Sequence, residues 1–280
     1  MTMRIHSSWV QAALVVAGVA GTLGAGASRP AAAAAPTAGE CVIIDALSGP
    51  APWISDAAEC ARATAPASTF KIPHALIALQ AGVITATTSL PWDGTAYDAA
   101  PWRRAHTVDS ALRWSALPFF QQTARRIGRE RMRDGLAALG YAADDFTGDI
   151  ASFWLNGDLV VTPIEQAAFL QRFSTSRLPI DRGHLDTVRA ALVMPDGVVT
   201  NASGEHPFVL AWPRPVTVRL KTGNTTVDGE RVSWAVGSVA SGEREYVVVA
   251  RVRVRGPLDG TAGLAAARRA LDAFPGRSGR

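Results

Sequence analysis

Strand-forming sequence lies at both ends of this chain and helix-forming sequence lies between, and that order restricts the fold more than any other feature. Near the start, residues 41–46 read CVIIDA, a short β-prone run closed by a turn through SGPAP. After Val198 the β-rich stretches Val216–Leu220, Arg231–Ala240 and Tyr246–Arg255 are separated by Gly/Asn/Asp turns, and Ala262–Phe274 ends the pattern as a helix. The middle carries apolar residues at helical spacing over Val108–Trp114, Pro118–Ile127, Arg131–Leu139, Pro163–Phe173 and Gly183–Leu192, several of them opening near a proline or a polar cap. An early strand joins late ones only if the chain folds back on itself. The expectation is therefore an α+β fold: one antiparallel sheet built from both termini and packed with helices, plus a mostly helical subdomain, with a site at their junction.

The first 35 residues read as a secretory signal peptide. Arg4 and His6 give a polar start, an alanine-rich apolar run follows from Trp9 to about Ala27, and small residues from Ala31 to Ala35 offer cleavage sites. Residues 36–280 then read as one domain, with no internal repeat or low-complexity linker. Export predicts a secreted, periplasmic protein with no stable membrane association. The two cysteines, Cys41 and Cys60, read as a disulfide in that compartment. The net charge of +4 comes from scattered arginines rather than a basic run, which argues against a nucleic-acid partner. His6, His74, His106, His184 and His206 show no ligand spacing, so no metal is expected. Glu165 reads as a solvated helix residue.

Of 28 basic residues only two are lysines, Lys71 and Lys221. Lys71 stands three residues after Ser68, one turn along a predicted helix over Ser68–Gln80, so the two share a face. Pro73 falls in the second turn of that helix and predicts a kink. Lys221 opens Lys221-Thr222-Gly223 on a predicted strand. Arginine stays protonated at any working pH, whereas a desolvated lysine loses its proton and can take up carbon dioxide. A chain that otherwise uses arginine, yet keeps lysine beside a helix-start serine, points to amine chemistry.

The pair S-x-x-K and K-T-G, in this order, is the motif set of penicillin-binding proteins and β-lactamases. Pro66-Ala67-Ser68-Thr69-Phe70-Lys71-Ile72-Pro73 resembles the nucleophile segment of class D, or oxacillinase-type, serine β-lactamases. Phe153-Trp154-Leu155-Asn156-Gly157-Asp158-Leu159, Trp92-Asp93-Gly94 and the segment from Ser233 to Gly237 are similar to that class as well, and the likeness extends over residues 41–255. It implies the penicillin-recognising transpeptidase/β-lactamase-like fold, a β-lactam substrate, and no cofactor beyond carbon dioxide or bicarbonate for carbamylating a lysine. Residue by residue it implies Ser68 as nucleophile and Lys71, as N6-carboxylysine, as general base. Trp154 would hold the carbamate, Leu155 would line its pocket, and Ser115 would relay a proton. Lys221 and Thr222 would bind the substrate carboxylate beside Gly223. The N–H groups of Ser68 and Asn224 would form an oxyanion hole.

The chain departs from the class D pattern in three places. Ser115-Ala116-Leu117 has leucine where the S-x-V motif has valine. Tyr141-Ala142-Ala143 lacks the asparagine of Y-G-N. The neighbourhood of Gly263 and Leu264 lacks the carboxylate-binding arginine, for which Arg251, Arg253 and Arg255, on one face of the last strand, are alternatives. Three activities fit these residues: a hydrolytic β-lactamase, a β-lactam sensor that acylates without turnover, and a cell-wall acyl transferase or peptidase.

Overall fold

The computed structural model describes residues 39–49, 51–142 and 145–274; the expected leader lies outside them. Five strands form one antiparallel sheet in the order β2-β1-β7-β6-β5: β1 Glu40–Ala46, β2 Trp53–Ile54, β5 Val216–Val227, β6 Glu230–Ser241 and β7 Arg244–Arg255. The early strand β1 lies along the late strand β7, with Ile44 opposite Val248, while β7 pairs with β6 through Val249 and Val236. The sheet is thus assembled from both ends of the chain, and the α+β expectation holds. A small hairpin of β3 Val198–Asn201 and β4 Gly204–Pro207 stands apart from it.

Alternation along the strands sends side chains to two cores. Val42, Ile44, Val248 and Ala250 pack with Leu264, Ala267 and Leu271 of the last helix, α8 Ala262–Ala273. Ile43, Val247, Val249 and Trp234 face the larger helical core. That core is built from α2 Lys71–Gln80, α3 Val108–Arg113, α4 Leu117–Ile127, α5 Arg129–Leu139, α6 Pro163–Ser174 and α7 Arg182–Ala191. Every residue of α2 but Gln80 is buried, because KIPHALIAL is apolar almost all round. The two polar side chains in that run, Lys71 and His74, go inside with it.

Three local readings change. Ser68 lies in a 3-10 turn, Ala67–Phe70, and the α-helix begins only at Lys71. Pro73 consequently falls in the first turn of α2, where its missing N–H costs no helical hydrogen bond. Glu165 is not simply solvated. It closes a capping box with Thr162, receiving the Thr162 N–H at 2.8 Å, and starts α6.

The chain segment before α2 is tied down twice. Cys41 on β1 is disulfide-bonded to Cys60 at the end of the short helix α1 Ala57–Cys60, a loop closure worth about 3 kcal/mol in the chain-entropy account. Beside it, Arg251 is fully buried and donates to the backbone oxygens of Arg62 and Glu59 and to the Glu59 carboxylate. Arg253 donates to both Glu59 carboxylate oxygens and to Glu230.

Candidate active site

The turn carrying Ser68 is braced from four directions. Trp234 of β6 donates its indole N–H to Ala65 O at 3.0 Å, and Ala67 N donates to Trp154 O at 2.9 Å. Thr69 Oγ1 donates to Pro66 O and receives Gln166 Nε2 from α6, both at 2.7 Å. On the open side Gly223 of β5 lies against the turn. A Cβ placed on it would stand 3.0 Å from the backbone nitrogens of Ser68 and Thr69 and 3.1 Å from Pro66 O. Glycine at that point of K-T-G is what lets the strand approach the nucleophile backbone so closely.

Two non-glycine residues here adopt left-handed backbone, Ala67 with φ +51° and Ser115 with φ +54°. Such conformations persist where the surroundings over-determine them. Ser115 follows the end of α3 and precedes α4, and the neighbouring Trp114 carbonyl receives the Trp102 indole N–H at 3.0 Å.

These constraints bring two of the expected residues, Ser68 and Ser115, onto the side-chain nitrogen of a third, Lys71. Lys71 Nζ lies 2.5 Å from Ser68 Oγ and 3.2 Å from Ser115 Oγ. It also sits 5.6 Å from the ring centroid of Phe120. The lysine is 1% exposed. Burial, and secondarily the charge of Lys221, hold its amine well below the ordinary lysine range. An amine depressed in this way gives up its proton more readily than an ordinary lysine. Lys221, also 1% exposed, donates to Thr222 O at 2.9 Å, and burial brings it down to about 7. Thr222 is buried on β5, while Asn224, two residues further along the same strand, is exposed.

Trp154 is fully buried and stacks on Phe70, with centroids 5.5 Å apart. Its indole N–H has no hydrogen-bond partner among the described residues. An unsatisfied buried donor costs of the order of 1–3 kcal/mol, so this position suits an added hydrogen-bond acceptor. Leu117 at the start of α4 and Leu155 beside Trp154 are half-buried against the same core. Leu155 O receives the Thr225 hydroxyl at 2.5 Å, tying the Trp154 loop to β5.

The structure also sorts the residues left open. Arg251 and Arg253 are occupied by Glu59 and Glu230, and Arg255 donates to Asp228 O. His74, one turn after Lys71, packs among Phe70, Phe120 and Trp154. It pairs through Nε2 with Thr123 Oγ1 at 3.0 Å and is pushed to about 3 by burial, so it is a neutral packing group. Sequence reasoning missed Gln166 and Phe120, which reach the site from α6 and α4. Neither carries a motif, and only their helical spacing marked them as inward-facing. Among the described residues no cluster of histidine, cysteine and carboxylate side chains has the form of a metal site.

Comparison with known proteins agrees with this geometry. The penicillin binding protein transpeptidase domain family matches residues 27–274. Beta-lactamase OXA-48 of Klebsiella pneumoniae is 34% identical over 175 residues, which cover 62% of this chain and 60% of that protein. Regulatory protein BlaR1 of Bacillus licheniformis is 29% identical over 191 residues, 68% of this chain but 29% of that one. The crystal structure of the class D β-lactamase YbXI from Nostoc superposes with a TM-score of 0.74 at 29% identity, covering 84% of this chain and 93% of that one. The chain thus spans less than two thirds of the length of these curated relatives, but nearly all of the solved domain. With Ser68, Lys71, Ser115 and Lys221-Thr222-Gly223 gathered at one site, the chain belongs to the penicillin-binding transpeptidase family and, within it, to the class D β-lactamases.

Proposed function

We propose that this chain hydrolyses β-lactam antibiotics through an acyl-enzyme on Ser68, and so confers resistance to them. The observation that carries the reading is the buried Lys71 amine, 2.5 Å from Ser68 Oγ and 3.2 Å from Ser115 Oγ. Ser68 Oγ attacks the lactam carbonyl as its proton leaves toward the Lys71 side chain. The backbone N–H groups of Ser68 and Asn224 are assigned to the developing oxyanion; one such donor is typically worth about a hundred- to thousandfold in rate. The carbonyl–nitrogen bond breaks, and Ser115 passes a proton to the departing ring nitrogen. Lys221 and Thr222 bind the ring carboxylate. Water then cleaves the Ser68 ester and frees the opened acid.

Lys71 is further assigned as a carboxylysine. The unpartnered Trp154 N–H fits a carbamate oxygen, and Leu117 and Leu155 limit water around it. Carbon dioxide, when bound, supplies an oxygen base on the lysine that exchanges protons with the serine and with water. The leader sequence supports a secreted or periplasmic location. Among the described residues no helix is long and apolar enough to cross a membrane.

A second reading, a β-lactam sensor that acylates once, rests on the likeness to the regulatory protein BlaR1. A chromogenic cephalosporin separates the two: sustained turnover supports the hydrolase, and one stoichiometric burst supports the sensor. In either case Ser68→Ala abolishes the covalent penicillin adduct in the mass spectrum. A variant that still acylates overturns the assignment of Ser68.

A further inference from the structure

Strand β5 runs past Ser68 with different chemistry in its two directions. On one side of Gly223 stand Lys221 and Thr222. On the other, Asn224, Thr225 and Thr226 form one wall of an open groove of about 270 Å³. Arg231 of β6 stands in register opposite Thr226 and lines the same groove. The far wall is Leu258 and Asp259 in the loop before α8. That loop is anchored beside Asn224. Gly260 O receives the Ser233 hydroxyl at 3.1 Å, and a Cβ on Gly260 would lie 3.3 Å from Asn224 Nδ2.

The charges in the groove are unequal in their commitments. Asp259 Oδ1 already accepts the Thr261 N–H at 2.7 Å and the Thr261 hydroxyl at 2.8 Å. Arg231 is exposed, and its guanidinium takes part in no hydrogen bond or ion pair among the described residues. Its neighbours on the last strand are engaged, Arg253 with Glu230 and Arg255 with Asp228 O. The groove therefore holds one uncommitted cation, hydroxyl and amide donors, and the half-buried Leu258.

A β-lactam carries its ring carboxylate on the nitrogen side of the scissile carbonyl and its acylamino side chain on the carbon side. If the carboxylate goes to Lys221 and Thr222, as the acyl-enzyme reading above requires, the side chain is led along β5 toward Asn224 and Thr226. We infer that the groove is an acyl side-chain subsite in which Arg231 selects substrates whose side chain bears an anion, such as an α-carboxylate. Leu258 supplies an apolar wall for the rest of that side chain. This inference rests on the proposed acylation of Ser68 and adds the substrate class.

The test compares benzylpenicillin with its α-carboxy analogue, two molecules that differ by one carboxylate on the side chain. The readout is the second-order rate of Ser68 adduct formation by quenched-flow mass spectrometry, which serves a hydrolase and a sensor alike. The preference ratio, analogue over parent, is expected to fall roughly two- to fivefold in Arg231→Gln, the range for a solvent-exposed ion pair. It falls further in Arg231→Glu, and raised salt shrinks the wild-type preference. Arg244→Gln, at the opposite end of the strand pair, should leave the ratio unchanged. A ratio indifferent to charge removal and reversal at Arg231, with both penicillins still acylating Ser68, overturns the subsite alone. If neither penicillin labels wild-type Ser68, the acyl-enzyme reading is overturned, and this one with it.

Discussion

Replacing Lys71 by methionine separates what the amine does for the chemistry from what its burial costs the fold. The side chain is 1% exposed. Its polar contacts are two serine hydroxyls, and the nearby charge acting on it is Lys221, of the same sign. Substituting well-packed apolar groups for buried ionic ones stabilises proteins by about 1–4 kcal/mol. Methionine is shorter than lysine, and the void it leaves returns about 1 kcal/mol. The expected net gain is about 0–3 kcal/mol at neutral pH, and for a domain of this size each kcal/mol raises Tm by roughly 2–4 °C. The pH sign follows from linkage. The folded Lys71 value lies well below that of an unfolded lysine, so between the two the unfolded chain binds more protons and stability rises with pH. Lys221, at about 7, adds a slope of the same sign that survives the substitution. Urea midpoints in carbon-dioxide-free buffer at pH 7 and 9.5 should therefore climb less steeply in Lys71→Met than in wild type. Acylation of Ser68 should meanwhile fall about a hundred- to ten-thousandfold, the range for loss of a general base. A variant that is less stable at pH 7, keeps the full pH slope and still acylates would refute the picture of a buried base whose proton affinity is lowered by burial.

The remaining expectations concern the carbamate and the buried arginine cluster. Added bicarbonate should raise turnover most at low pH, where neutral Lys71 amine is scarce and carbamate is acid-labile; Trp154→Phe should abolish that response while leaving the first acylation partly intact. Equal activity with and without bicarbonate at every pH would remove the carboxylysine. Glu59→Gln leaves Arg251 buried beside a neutral amide and should destabilise the fold by about 3 kcal/mol, near the low end for breaking a buried pair because two backbone oxygens still hold the guanidinium. Chemical denaturation measures this; a loss under 1 kcal/mol would show the cluster to be solvated.

What the sequence determined by itself was local. The interval from Ser68 to Lys71 and the run Lys221-Thr222-Gly223 are short enough for helical and extended geometry to say which side chains share a face. Apolar periodicity likewise placed α3 to α8, β1, β6 and β7 to within a few residues, whereas β5 runs on past Leu220 to Val227 and the short strands β2, β3 and β4 were not marked. The antiparallel joining of residues 40–46 to 246–252 followed from element order, because an early strand has partners only at the far end of the chain. The tertiary structure decided what depends on segments meeting after long separations. The left-handed backbone of Ala67 and Ser115, neither of them glycine, is imposed by packing and leaves no mark in the sequence. Arg251 and Arg253 looked available on the last strand, but they meet Glu59 from nearly two hundred residues earlier and are neutralised there. Arg231, an ordinary strand residue in the sequence, is left uncommitted in the groove beside Asn224. A residue's type and spacing fix which hydrogen bonds and charges it brings. Only the fold, by bringing partners within reach or leaving none, decides which of those are satisfied and which remain for a ligand.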